Sequence, residues 1–332
     1  MARTAISITP RGPFSWPAMT DVMANFSPMT QHWQGTSEMV RMTFPLDQEF
    51  TPVGVALRFL DGRLQAEVTG SRNLAAVERQ LARIFSLDHD GTGYPAVGAR
   101  DPEVGRLMTA LPGLRPLNFT SPYETAAWGV ISQRISMRQA ARLKATLIAA
   151  YGDRLLVAGE EVGCFPTPER LLTVESVPGL SSEKVERLKG VARAALDGKL
   201  DAERLRALGD EAGPASVREI PGIGPFWASG IYLRGCGIVD VFPDEPIAIA
   251  ALGNLHGLGD TPRQEQIKRL TTVYRPYRMW VCFLLRVAAN RGLIPGVGER
   301  QGAIRRAAHG RTGSSRKTRP VSAMRPGLRA AK

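Results

Sequence analysis

Residues Ile220 to Leu252 read IPGIGPFWASGIYLRGCGIVDVFPDEPIAIAAL, and the opening hexamer Ile220-Pro221-Gly222-Ile223-Gly224-Pro225 sits between two stretches of helical character. Pro221 ends the first helix, because its ring carries no N–H and clashes with the preceding turn. The two glycines let the backbone turn tightly and approach a ligand closely. Amides at the start of the next helix then point outward with the positive end of the helix dipole behind them, which suits a phosphate oxygen. Ile223 is expected to plug the hairpin into the core. On its own the hexamer reads equally well as a plain helix–helix turn, for which Pro and Gly are common.

Working outward, the chain is helical on both sides of this hairpin. Ser121-Pro122-Tyr123-Glu124 is a helix start, with a Ser N-cap, Pro in the first turn and Glu at the capping-box position. That helix runs through Trp128, Val130 and Ile131 toward Gln133. Further helices are expected over Met137 to Tyr151, Ser182 to Leu196, Pro225 to Arg234, Pro262 to Val273 and Arg278 to Asn290. A second turn, around Val177-Pro178-Gly179, repeats the Pro-Gly hairpin in outline. The first third differs. Val53, Val55, Leu57 and Phe59 alternate with their neighbours, as do Leu64, Ala66 and Val68 after Asp61-Gly62, which predicts a β-hairpin. Ser37 to Phe44 supplies a candidate strand, and Leu74, Val77, Leu81 and Ile84 fall at helical spacing. Pro112 to Phe119 reads as a connector.

The 332 residues, 43% hydrophobic and 22% charged, suffice for two ordinary domains with a sizeable core. The formal net charge of +12 points to a polyanionic partner. Ten Lys and Arg and no Asp or Glu lie between Arg300 and Lys332, so without that segment the first 299 residues carry only +2. The tail is expected to be disordered and to add salt-sensitive affinity for a polyanion. Cys164, Cys236 and Cys282 lack zinc-site spacing and are too few for a four-thiolate cluster. The four histidines have no metal-ligand spacing, and neither a nucleophile elbow nor a P-loop occurs. The opening MARTAISITPRGPFSW lacks an apolar signal-peptide core, and no run approaches membrane-spanning length. A cytoplasmic protein is expected, nucleoid-associated in a bacterium.

The hairpin followed by Asp244-Glu245 resembles the helix-hairpin-helix signature of base-excision DNA glycosylases, in particular the 3-methyladenine DNA glycosylase II family. WGVISQRIS (Trp128 to Ser136) and CFPTPERL (Cys164 to Leu171) are similar to further segments of that family, and a weaker match extends from about Phe14 to Gly292. The resemblance implies an α+β N-terminal domain (1–112) with a small antiparallel sheet and helices. An all-α helix-hairpin-helix glycosylase domain (113–298) and the disordered basic tail (299–332) follow. It implies double-stranded DNA with a flipped damaged base as partner and a monomeric protein. No cofactor is implied beyond a monovalent cation at the hairpin.

In the family an aspartate at the N-terminus of the helix after the hairpin is catalytic. Glycosidic cleavage builds positive charge on the sugar, and a carboxylate stabilises it. Counting forward from the hairpin places Pro246 in that slot, and counting back from Leu252 places Glu245 there, so Asp244 and Glu245 both remain candidates. The plainer alternative makes Asp244 a helix cap. Bifunctional relatives carry a lysine where this chain has Phe226; without that amine no Schiff base forms, and hydrolysis to an abasic site is expected. Gly222, Ile223 and Gly224 would grip a phosphate. Arg134 would fill the gap left by the flipped base, flanked by Gln133 and Ser136, or would be a surface arginine at a helix end. Phe226, Tyr277 and Trp280 are candidate pocket aromatics, with a core role the more natural for Trp280. Arg286 stands where the family often has a pocket tryptophan. It would repel a cationic base and favour a neutral or bulky one, or turn away to pair with a carboxylate. The rival reading is a catalytically weak or inactive damage-binding protein on the same fold.

Overall fold

The computed structural model describes residues 4–28, 33–36 and 38–297; the expectation of a disordered basic tail falls outside them. The hairpin at Asp61-Gly62 forms as the sequence predicts. Both residues take positive φ, 51° and 72°, the mirror-image turn whose twist matches flanking strands. It joins β4 (Pro52–Leu60) to β5 (Arg63–Thr69). With β1 (Thr4–Ile8), β2 (Trp33–Gly35) and β3 (Val40–Pro45) they make an antiparallel sheet of order β1-β5-β4-β3-β2. α1 (Trp16–Asn25) intervenes between β1 and β2, and α2 (Leu74–Ile84) follows β5. Val53, Val55 and Leu57 are fully buried with Val77, Leu81 and Ile84 of α2, as their two periodicities require. α3 (Pro95–Arg100) and α4 (Pro102–Ala110) complete this part.

α5 (Pro122–Ile131) starts at Ser121, whose side chain accepts from Glu124 N, and all ten of its residues are buried. Around it lie α6 (Met137–Tyr151), α7 (Pro168–Leu172), α8 (Ser182–Leu196), α9 (Ala202–Arg218) and α10 (Pro225–Gly230). α10 continues as a π-helical turn, Ile231–Gly235. The hairpin β6 (Arg154–Val157) and β7 (Glu160–Gly163) leaves this helical part and packs on the sheet, where Val157 and Val162 cover Ala56. α11 (Pro246–Leu255), α12 (Gln264–Thr272) and α13 (Arg278–Asn290) end the described chain.

Two apolar cores result. One gathers the sheet with α2 and, from the far end of the chain, α11 and α13; the other lies among α5 to α10 and the π turn. Polar ties cross between them: Arg206 of α9 pairs with Asp88 at 2.6 Å, and His89 Nε2 lies 3.0 Å from the Gly237 carbonyl. Inside the helical core, Lys144 and Glu124, each 1% exposed, form an ion pair, and Thr120 donates to the other carboxylate oxygen.

Candidate functional site

The two Pro-Gly turns are alike in backbone. Gly179 and Gly222 both adopt φ 88°, and each turn closes with one bond, Leu180 N to Val177 O at 2.9 Å and Ile223 N to Ile220 O at 3.0 Å. Ile223 is 5% exposed and plugged into the helical core. The helices they introduce differ at the cap. Ser181 caps α8 with its side chain, accepting from Lys184 N, whereas Gly224 caps α10 with no side-chain bond. A Cβ on Gly224 would meet nothing within 4 Å. Hence the second hairpin, unlike the first, presents an uncapped helix start to an outside acceptor. Phe226, just inside it, is 66% exposed.

The turn after α5 reaches the same hairpin. Gln133 Nε2 donates to the Gly222 carbonyl at 2.8 Å, and Gln133 Oε1 accepts from Arg187 at 3.0 Å. Lys184 Nζ holds the turn from below through the Ile131 and Gln133 carbonyls, at 2.7 and 2.9 Å. Arg134 is exposed at φ 59°, a left-handed conformation that a side chain this large adopts only when its surroundings fix it. Ser136 caps α6, accepting from Gln139 N at 3.2 Å. The structure therefore brings Gln133, Arg134 and Gly222 together at one edge of the helical part.

Glu245 and Asp244 separate clearly. Glu245 is the N-cap of α11: its Oε2 accepts from Ala248 N at 2.6 Å, and its Oε1 lies 3.9 Å from Arg286 Nη1. Asp244 is exposed and makes no hydrogen bond or ion pair among the described residues. The cap thus belongs to Glu245, and Pro246 is the first helical residue, where Pro fits best. The preceding loop is pinned to α13, with Arg278 Nε donating to Asp240 at 2.7 Å and Met279 N to the Val239 carbonyl at 2.9 Å. The Glu245 side chain is 18% exposed and that of Arg286 43%.

Sequence reasoning did not find Arg234. The π turn carries it to the junction of the two cores, where its guanidinium lies 5.2 Å from the Phe26 ring, 5.9 Å from Phe119 and 5.2 Å from Phe283. It donates to the Leu117 carbonyl, while its Nε is buried without a partner. Burial, and secondarily the charge of Arg286, pulls its pKa down to about 9. Arg234 lies within the π turn, and residue spacing gives no sign of that turn. Tyr277 and Trp280 occupy core positions, 7% and 2% exposed. Their ring partners are Tyr94 and each other, Arg115 lies 4.8 Å over Trp280, and Tyr277 donates to the Asp90 carbonyl.

No family model matches the chain. It is 26% identical over 206 residues to a DNA-3-methyladenine glycosylase of Bacillus subtilis, covering 60% of this chain and 68% of that protein. With DNA-3-methyladenine glycosylase 2 of Escherichia coli it shares 32% identity over 198 residues, 58% of this chain and 66% of that one. The chain thus spans about two thirds of the length of these relatives. The solved 3-methyladenine DNA-glycosylase from Archaeoglobus fulgidus has the same fold, with a TM-score of 0.70 at 23% identity over 85% of this chain and 97% of the other. The uncapped hairpin followed by a helix-capping carboxylate agrees with these likenesses, and the chain belongs to the 3-methyladenine DNA glycosylase II family of helix-hairpin-helix proteins.

Proposed function

We propose that the chain is a monofunctional DNA glycosylase that hydrolyses the N-glycosidic bond of damaged, chiefly alkylated, bases and leaves an abasic site. The observation that carries this reading is Glu245, held by Ala248 N at the start of α11 with its second oxygen turned toward Arg286. As C1′ loses the base it becomes oxocarbenium-like, and a fixed carboxylate beside it lowers the energy of that state. Water adds its oxygen to C1′ and its proton passes to Glu245 or solvent; a cationic alkylated base departs with the bonding pair as a neutral molecule, whereas an uncharged base also takes up a proton. Phe226 in place of an amine leaves no route through a Schiff base.

Double-stranded DNA is the partner, engaged by a monomer. The uncapped turn Gly222-Ile223-Gly224 takes a phosphate, and Arg134 enters the stack when the damaged nucleotide swings out, a step that costs a few kcal/mol in intact duplex. A monovalent cation at the hairpin would be held by main-chain carbonyls; those of Ile220 and Gly222 accept one bond each and keep a second lone pair. It would offset charge at the DNA phosphate. Among the described residues no group of three or more His, Cys, Asp or Glu could hold a metal ion, and no helix is long and apolar enough to cross a membrane.

Single-turnover base release from duplexes carrying alkylated and deaminated purines tests the proposal, run beside Glu245→Gln and Asp244→Asn. Glu245→Gln keeps an acceptor for Ala248 N and removes the charge, so release should fall by at least about 10²-fold while Asp244→Asn stays near the parent. Lesion binding without release from any duplex would make the chain a damage-binding protein instead.

A further inference from the structure

Glu245 has unusual company for a carboxylate that meets positively charged lesions. Arg286 Nη1 stands 3.9 Å from its free oxygen, and Arg234 lies behind in its box of Phe26, Phe119 and Phe283. The two guanidiniums feel one another, since the charge of Arg286 contributes to the lowered pKa of Arg234, and Glu245 acts on Arg234 in the opposite sense. Two guanidiniums thus stand around the Glu245 carboxylate. Arg234 is held by its rings and its bond to Leu117, whereas the Arg286 side chain is 43% exposed and makes, among the described residues, only the long contact with Glu245.

The leaving group decides what such a site favours. A base alkylated on a ring nitrogen carries a positive charge, and when the bond to C1′ breaks the electron pair neutralises it. It needs no help in leaving and is repelled by the arginines. An uncharged lesion, such as a deaminated purine or a cyclised alkyl adduct, leaves as an anion unless a donor meets its developing charge. Resting on the glycosylase reading above, we propose that Arg286 selects uncharged damaged bases. It exchanges its contact with Glu245 for a hydrogen bond to the departing base and frees the carboxylate oxygen for the sugar. The atoms balance as in simple hydrolysis: C1′–N breaks with both electrons on the base, C1′ gains the water oxygen, and the base gains a proton from water. Arg286 donates a hydrogen bond and transfers no proton.

The test is single-turnover release of hypoxanthine and of 7-methylguanine, each expressed relative to spontaneous loss of the same base, for the parent, Arg286→Gln and Arg286→Lys. Arg286→Gln should slow hypoxanthine release by roughly 10²-fold, as removal of a transition-state donor does, and speed 7-methylguanine release. Arg286→Lys should restore part of the hypoxanthine rate, because it returns the charge without the planar fork. A parallel fall on both substrates would mean that Arg286 merely supports the fold around Glu245, and would overturn the inference. Parent protein that releases 7-methylguanine alone would overturn the inference and leave the glycosylase reading standing. Release of neither base from duplexes that the protein binds would bring down both.

Discussion

Replacing Gln133 by alanine isolates the tie between the Arg134 turn and the hairpin. Gln133 Nε2 donates to the Gly222 carbonyl at 2.8 Å, and its Oε1 accepts from Arg187 at 3.0 Å. The first is a neutral bond worth about 1 kcal/mol net, and the second, from a guanidinium, roughly 1.5–3 kcal/mol. Both are part-buried, so water takes over some of what is lost and about 1–2 kcal/mol should remain as the cost. Lys184 grips main-chain carbonyls of the same turn, which alanine leaves in place. The turn therefore stays folded but is no longer held in register with the hairpin. If the hairpin and Arg134 must reach the DNA together, the loss appears as roughly 5–30-fold weaker binding to a duplex carrying a stable abasic analogue. Undamaged duplex, held through phosphates alone, should change by less than about twofold. Anisotropy titrations of both duplexes at one fixed salt concentration measure this. Equal weakening on the two, or no change on the lesion duplex, would refute the coupling.

Other expectations follow from burial and charge. Lys144→Met strands the Glu124 carboxylate inside the helical core and should cost about 3–5 kcal/mol. That would be seen as a fall in Tm on the order of 10 °C, with much of it returned by adding Glu124→Gln, which keeps an acceptor for Thr120; an unchanged Tm would count against the pair. All three cysteines are buried, which raises their pKa values, that of Cys236 to about 12. Each thiol should therefore stay protonated at pH 8 and resist a thiol reagent until denaturant is added; a fast-reacting thiol in the native protein would contradict this. Removing residues 299–332, which hold ten cations and one glutamate, should flatten the salt dependence of DNA binding and leave the single-turnover release rate unchanged. A large loss of that rate would tie the tail to the chemistry.

What the sequence made legible is what local chemistry determines. The Asp61-Gly62 turn, the Ser121 cap and α2, α6, α8 and α13 all rest on residues that act within a turn or two of themselves, and they appear where the spacing places them. α9 escaped because its periodicity is broken: Gly209 leaves helical geometry at φ 82° and Pro214 lies inside. β1 is only five residues long, and its partner β5 lies far along the chain. The connector from Pro112 to Phe119 looked inert, yet Arg115 is fully buried there, donating to the carbonyls of Arg11, Pro13 and Ser86. Its partners are distant in sequence, so no spacing announces them. At the site, the hairpin and the acidic pair were visible in the residues. The assignment of the cap to Glu245, with Arg286 beside it, depends on side-chain direction and on how α11 meets α13.

Under the proposed function, Arg234 is what would make one site of these pieces. The hairpin belongs to the helical core and Glu245 caps the helix α11 of the other core, so the distance from hairpin to carboxylate depends on how the cores are joined. Arg234 joins them. Its side chain bonds Leu117, its carbonyl accepts from Phe119 N at 3.0 Å, and its guanidinium lies between Phe119 of one core and Phe283 of the other. Burying a cation there is costly, and its unpartnered Nε adds to the cost; leucine in its place would avoid both. A leucine, however, would supply neither the directional bond to Leu117 nor a fixed positive charge behind Glu245. That charge lies within reach of Glu245, whose own charge acts on Arg234 in return. The same residue that fixes the geometry of the site thus also sets its charge.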